Sequence, residues 1–213
     1  MGYRTYLSLK QYASKEEREE VRNKFFSEIT DYIENKDIDI DYIYFNYFDW
    51  MKKSVCFNKE MQIGDTNLID TLIRKNKSFI PDDVVDSVNN KFKTQVLNKN
   101  ADDDPDGLRL VSLSKDDVVE MIRDCYLAIA QNYKRKLEWA EDADFCMFFL
   151  RPSIESAIRG WEMGAEKYVK LNADGKMDIP YPLDDTFEFE IMVLIDIINN
   201  YDWECIDVVL YGY

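Results

Sequence analysis

Short β-type segments lie near both ends of this sequence, and amphipathic helical patterns fill most of the distance between them. Residues 3–9 and 205–211 are rich in aromatic and β-branched side chains, as is a third segment at 38–48. Such side chains favour strands because they pack well on a pleated surface. Helices grouped apart from the strands along a chain are typical of the α+β class. The sequence therefore predicts an α+β fold, with five or six helices packed with a small, mostly antiparallel sheet that includes both termini.

Apolar side chains recur every three or four residues in several segments, which is the spacing of one helix face. Long helices are predicted at about 15–34, 115–140, 153–171 and 185–200, and shorter ones after Thr66 and Pro81. Ser14 and Glu17 have the spacing of a capping box at the start of the first helix. A further short strand is expected at 108–113, whereas residues 51–65 show no regular pattern. Pro152 is expected to break any helix that reaches it.

The chain of 213 residues is long enough to bury a substantial core, and we predict a single α+β domain over residues 1–213. Residues 94–107 are rich in turn-forming side chains and are expected to be either a subdomain boundary or a mobile loop. Residues 31–46 are identical to residues 196–211 at four positions. Two interpretations of this similarity stay open, an internal repeat and chance.

Charge and composition exclude several classes of function. The chain has 27 Lys and Arg residues against 42 Asp and Glu residues, a formal net charge of −15. A general nucleic-acid-binding protein and a polybasic membrane-surface protein both need a basic surface, so both are excluded. The chain contains no histidine, so catalytic triads, zinc sites and general bases that depend on histidine are excluded. No apolar run suits a signal peptide or a membrane span. We therefore expect a cytoplasmic protein with reduced thiols at its four cysteines.

One group of carboxylates has the spacing of a metal site. Asp102, Asp104 and Asp106 are followed by glycine, as in the first half of an EF-hand calcium loop. Arg109 stands where such a loop has an apolar residue, and Leu113 stands where it has the bidentate glutamate. We therefore expect no calcium site there, and no catalytic residue, metal ligand or cofactor is assigned to the chain.

A second group, Asp37, Asp39 and Asp41, alternates along the predicted strand at 38–48 and would project from one face. Three carboxylates on one face could hold magnesium in a carboxylate-dependent metal enzyme. No glycine-rich phosphate-binding loop accompanies them. A charged strand edge that blocks unwanted pairing and a partner-binding surface are the other interpretations.

The negative charge is concentrated in three segments. Residues 172–213 carry a net charge of −9, and residues 37–50 and 101–107 carry −4 each, so the rest of the chain is slightly basic. Aromatic side chains lie in or beside these segments, and such combinations are typical of protein interfaces. We predict a protein partner with a basic surface, which this charge would attract; the alternative is that the charge serves solubility alone. The predicted partner-binding residues are Asp37, Asp39, Asp41, Asp184, Asp185, Glu188, Glu190, Asp202, Trp203, Glu204 and Asp207.

The opening Met1-Gly2-Tyr3-Arg4-Thr5, with a strand, a helix and an aromatic strand, resembles uncharacterised small proteins of phages and mobile elements over about the first 50 residues. The resemblance implies an inhibitor of host defence, such as an anti-CRISPR protein. Such an inhibitor would bind the basic nucleic-acid channel of an effector nuclease, without itself binding nucleic acid or membranes. An immunity protein that neutralises a toxin is the alternative, followed by the carboxylate-dependent metal enzyme. The oligomeric state stays open.

Overall fold

The computed structural model describes residues 5–34, 47, 55–57, 62–63, 66–100, 107–141, 147–178 and 187–212. The helices in this part of the chain are α1 (Lys15–Glu34), α2 (Leu68–Lys75), α3 (Asp82–Phe92), α4 (Lys115–Glu141), α5 (Met147–Lys167) and α6 (Glu188–Asn200). The strands are β1 (Thr5–Gln11), β2 (Val55–Phe57), β3 (Gln62–Ile63), β4 (Thr66–Asn67), β5 (Arg109–Ser112) and β6 (Ile206–Gly212). The predicted α+β class is confirmed.

Four strands form an antiparallel sheet in the order β2-β1-β6-β5, and β3 and β4 form a separate two-stranded ribbon. β1 and β6 pair along their whole length, with Lys10 directly opposite Asp207. β6 also pairs with β5, so it has a partner on each side. The prediction that the sheet includes strands near both termini is therefore confirmed. Directly opposite residues of paired strands project to the same side, so Lys10 and Asp207 share one face.

Two predictions for the region before α2 differ from the structure. Residues 51–65 were expected to be irregular, yet they contain β2 and β3. These strands have only two or three residues, too few for a side-chain pattern to develop. The strand predicted at 38–48 lies outside the described residues except for Tyr47, whose backbone is helical. The prediction is wrong at that residue, because aromatic and β-branched composition also fits a buried helical segment.

The helix boundaries follow from local chemistry. Ser14 Oγ accepts a hydrogen bond from the Glu17 N–H at 3.2 Å, and the Glu17 carboxylate accepts one from the Ala13 N–H. The Ser14 half of the capping box is confirmed, and it satisfies the Glu17 amide, which the first turn of α1 leaves without a helical partner. The Glu17 carboxylate binds the amide of Ala13 rather than that of the cap residue Ser14. α5 runs through Pro152, so the predicted break is wrong. Pro152 lies near the start of the helix, where its missing N–H removes one hydrogen bond.

The chain forms two compact units. The first comprises Met1–Asn58, Ile69–Ser114 and Tyr201–Tyr213, and the second comprises Lys59–Leu68 and Lys115–Asn200. The segment 94–107, predicted as a boundary or a mobile loop, lies inside the first unit, and residues 101–106 lie outside the described part of the chain. The single domain over residues 1–213 stays a prediction.

The core of the first unit joins α1 and α3 to the sheet. Its buried apolar side chains include Phe25, Phe26, Ile29, Phe79, Val85, Val88, Leu110 and Val209. The rings of Phe25 and Tyr47 stack with their centroids 4.0 Å apart. Full burial of one large apolar side chain contributes about 1.5–3 kcal/mol. This core therefore holds α1 firmly against the sheet face that carries Asp207.

In the second unit α4 packs against α5 and α6. The rings of Tyr126 and Trp161 meet edge-on, with centroids 5.1 Å apart. Lys134 and Glu162 form an ion pair at 2.6 Å. In the described part of the chain, no helix combines the length and apolar composition that crossing a membrane requires.

Candidate functional site

A buried carboxylate, Asp207, organises the polar contacts of the first unit. Its side chain is only 2% exposed. Arg18 on α1 places Nε and Nη2 each 2.8 Å from Asp207 Oδ1. Arg22, one turn further along α1, has its Nε 3.8 Å from Asp207 Oδ2. Two guanidinium groups of one helix therefore converge on a single carboxylate of β6.

Two tyrosine hydroxyls complete the surroundings of this carboxylate. Tyr12 donates a hydrogen bond to Asp207 Oδ2 at 2.6 Å, Tyr47 donates one to the same oxygen at 3.2 Å, and the two hydroxyls also contact each other. Burial raises the pKa of Tyr12, and the Asp207 carboxylate raises it further. Burial also raises the pKa of Tyr47. Both hydroxyls are therefore protonated donors near neutral pH, which suits a structural role better than proton transfer.

The structure places the Asp207 carboxylate, one of the predicted partner-binding groups, in an enclosed position where it is already engaged, and its role in binding a partner stays a prediction. Arg18 extends the same network, since its Nη1 donates to the backbone carbonyls of Trp203 and Glu204 at 3.3 and 3.1 Å. One arginine thus connects α1 to both β6 and the turn before it. The alternation of residues along a strand does not reveal which face a helix covers, so the sequence alone could not distinguish Asp207 from an exposed carboxylate.

The turn before β6 carries three of the predicted partner-binding residues. Asp202 and Glu204 are exposed, and Trp203 is half-buried. Asp202 Oδ1 accepts a hydrogen bond from the Glu204 N–H at 3.0 Å, and Oδ2 accepts one from the Cys205 thiol at 3.6 Å. The Asp202 carboxylate therefore shapes its own turn. A role of this turn in binding a partner stays a prediction.

The second unit carries two further predicted residues on α6, of which Glu188 is exposed and Glu190 is half-buried. Between and after them lie two large apolar side chains, Phe189 at 65% exposure and Met192 at 46%. The opposite side of α6 buries Ile191, Leu194, Ile195, Ile197 and Ile198. The helix contains no lysine or arginine. We call the exposed residues Glu188, Phe189 and Met192 the α6 surface.

Phe189 and Met192 were not predicted from the sequence as site residues, although both fall outside the apolar stripe that predicts the helix. The cluster of Lys10, Arg18 and Arg22 was not predicted either, although the i, i+4 spacing of the two arginines places them on one side of α1.

Other predicted positions lie outside the described residues. These are Asp37, Asp39, Asp41, Asp184 and Asp185, together with the incomplete calcium loop at Asp102, Asp104 and Asp106. Within the described ranges, the structure contains no group of three or more Cys, Asp and Glu residues that could hold a metal ion.

Comparison with family models, curated proteins and solved structures finds no match to the chain. The resemblance to phage and mobile-element proteins therefore stays a prediction. The function of the chain is inferred from its own surfaces, above all from the α6 surface.

Proposed function

We propose that this chain is a non-catalytic binding protein that inhibits a partner with a basic surface, namely an effector nuclease of the kind that phage anti-defence proteins inhibit. The α6 surface is the observation that carries the proposal. It presents Phe189 and Met192 beside Glu188 on a helix without any cation. The proposal rests on the chemistry of this surface and on the charge of the chain.

Exposed aromatic and methionine side chains are frequent anchors of protein interfaces. Phe189 and Met192 are three residues apart, so they are neighbours on one side of α6. Two such side chains can enter an apolar groove of a partner together, as an amphipathic helix does in helix-in-groove recognition. Each contributes up to about 1.5–3 kcal/mol when buried.

Charge selects the type of partner. The chain has a formal net charge of −15, and residues 172–213, which include α6, contribute −9. Such a field accelerates association with basic surfaces and disfavours acidic ones. Proteins that handle nucleic acids present lysine and arginine to the phosphate backbone. An acidic helix can occupy such a channel in place of the backbone, which would make the chain a competitor of nucleic acid.

Site-specific cross-linking tests the position of the interface. A photoreactive phenylalanine analogue is placed at position 189 and, as a matched control, at position 139. Trp139 is also aromatic, also in the second unit, and 87% exposed. We expect the analogue at 189 to capture a nucleic-acid-binding protein that the analogue at 139 does not capture. Equal capture at both positions would contradict the proposal, and specific capture of a toxin would favour an immunity protein.

Binding kinetics with the captured and purified protein test the two physical contributions. Glu188→Lys should slow association, whereas Phe189→Ala and Met192→Ala should mainly speed dissociation. Glu138→Lys and Trp139→Ala are the controls and should change neither rate. Association should slow as salt rises to physiological strength, and nucleic acid should compete with the chain. Unchanged rates in the α6 variants, or simultaneous binding of chain and nucleic acid, would refute the proposal.

A further inference from the structure

Arg22 carries a charge that its surroundings leave without a hydrogen-bonded partner. Its Nε is buried and makes no hydrogen bond within the described part of the chain, and its ion pair with Asp207 Oδ2 is long, at 3.8 Å. That carboxylate already receives Arg18 on one oxygen and the Tyr12 hydroxyl on the other. Among the described residues the Arg22 guanidinium makes no hydrogen bond at all. An anion that pairs with this guanidinium would supply the hydrogen bonds that its terminal nitrogens lack.

The aromatic core fixes the position of this guanidinium. Its central carbon lies 4.9 Å from the ring centroid of Phe79 and 5.7 Å from that of Phe26. Cation–π contacts of this kind orient the flat group while leaving its edge free. The side chain as a whole is 29% exposed. Nε is buried, and the terminal nitrogens make no hydrogen bond within the described part of the chain, so they are the donors left for a ligand.

The same cluster has an excess of positive charge. Lys10 lies opposite Asp207 on the sheet, and its Nζ lies 5.0 Å from the ring centroid of Tyr47. Within the described part of the chain Lys10 has no ion pair. Arg18 and Arg22 approach Asp207 from α1, and Lys10 lies opposite it on β1, so among these described residues the positive charges exceed the negative charge by two. Although the chain as a whole has a net charge of −15, this local excess of positive charge attracts anions.

We propose that Arg22 and Lys10 form a binding site for a phosphate dianion, either free or carried as the phosphoryl group of a larger molecule. The terminal nitrogens of Arg22 form a fork that matches two oxygens of the anion. Lys10 contributes charge, and a dianion matches the excess of two. The site is independent of the proposed function, because the α6 surface belongs to the other unit and has the opposite charge.

A titration of the unmodified chain tests the proposal directly. The Nε–H resonance of Arg22 is followed by NMR while inorganic phosphate, methyl phosphate or acetate is added at constant ionic strength. We expect a saturable shift with both phosphates and a much weaker response to acetate. Tighter binding of methyl phosphate would identify the site as one for a phosphoryl group, and tighter binding of inorganic phosphate as one for the free ion. No saturable shift, or an equal response to acetate, would overturn the proposal.

Substitutions then separate the hydrogen-bonding fork from the charge. Arg22→Lys keeps the charge but loses the fork and should weaken phosphate binding about tenfold, the equivalent of one charge-assisted hydrogen bond. Lys10→Gln should weaken it less. Lys24→Gln is the matched control, because Lys24 lies on the same helix and is largely exposed. Unchanged affinity in folded Arg22→Lys would overturn the proposal. If that variant does not fold, the titration of the unmodified chain decides.

Discussion

Loss of the Arg18–Asp207 ion pair should destabilise the first unit far more than loss of an exposed pair on the same helix. Removal of one partner of a buried pair costs about 3–5 kcal/mol, because the remaining charge stays buried. Asp207 would keep the hydroxyls of Tyr12 and Tyr47 and the more distant Arg22. We therefore expect Arg18→Met to cost about 3 kcal/mol, the lower end of that range. This is a large share of the roughly 5–15 kcal/mol that stabilises a typical domain.

A double-mutant cycle isolates the pair. Arg18→Met, Asp207→Asn and the double variant are unfolded in urea and followed by circular dichroism, with unchanged m-values as the condition for comparison. We expect a coupling free energy of about 1.5–3 kcal/mol, typical of hydrogen bonds between charged groups. The control cycle is Lys24→Met with Glu28→Gln, an exposed i, i+4 pair on the same helix with 3.7 Å between Nζ and Oε1. Its coupling should be about 0.3–0.5 kcal/mol.

Salt provides the decisive comparison. Exposed pairs are screened at about 1 M salt, whereas buried pairs are screened much less. The coupling between Arg18 and Asp207 should therefore persist at high salt while the control coupling disappears. If the two cycles gave similar coupling energies, or if both vanished at high salt, Asp207 would be hydrated and the enclosure described above would be wrong.

Three further outcomes are expected. The pKa of Tyr12 is raised above the ordinary value of about 10, so its protonated hydroxyl stabilises the fold below pH 10, and this stability is lost as the pH rises above 10. The melting temperature should therefore decline less steeply from pH 7 to 11 in Tyr12→Phe than in the unmodified chain. Deletion of residues 203–213 should abolish cooperative melting, since β6 is an inner strand and each of its buried apolar side chains contributes about 1.5–3 kcal/mol; a truncated chain with an unchanged melt would contradict the role of β6. Burial is the largest cause of the raised pKa of the Cys205 thiol, and the Asp202 carboxylate raises it further. In the Asp202→Asn variant Cys205 should therefore react faster with iodoacetamide near neutral pH, as measured by mass spectrometry of the labelled peptide. Equal rates in the two chains would contradict this electrostatic effect.

The helices and the terminal strands could be predicted because their signals are local. α1 begins directly after Ser14, the cap residue, and α4 keeps one apolar stripe over many turns. A short strand cannot carry a periodic pattern of that length. β2, β3 and β4 escaped prediction because two or three residues define no period. The register between β1 and β6 depends on residues far apart in the sequence, so no local pattern contains it.

The candidate site was less predictable than the fold for a related reason. Composition identified the acidic C-terminal region, but it did not show which of its acidic residues are exposed and which are buried. Glu188 is on the surface, whereas Asp207 is buried beneath two arginines. That difference is created by α1, which lies at the other end of the sequence. Phe189 and Met192 are exposed. They were not predicted to be, because an apolar side chain suggests burial as long as the packing of its helix is unknown.

The pairing of β1 with β6 has a consequence for synthesis of the chain on the ribosome. Residues 12–205 separate the two strands, and translation at about 5–20 residues per second takes roughly 10–40 s to cover that length. During this time β1 can pair only with β2 among its partners in the sheet. Leu7 and Leu9 are buried in the folded chain. In the nascent chain these apolar side chains therefore lack β6, the strand that pairs with β1 along its whole length. The yield of folded chain should accordingly depend on chaperones that protect nascent strands, and cells depleted of such chaperones should accumulate it as aggregates.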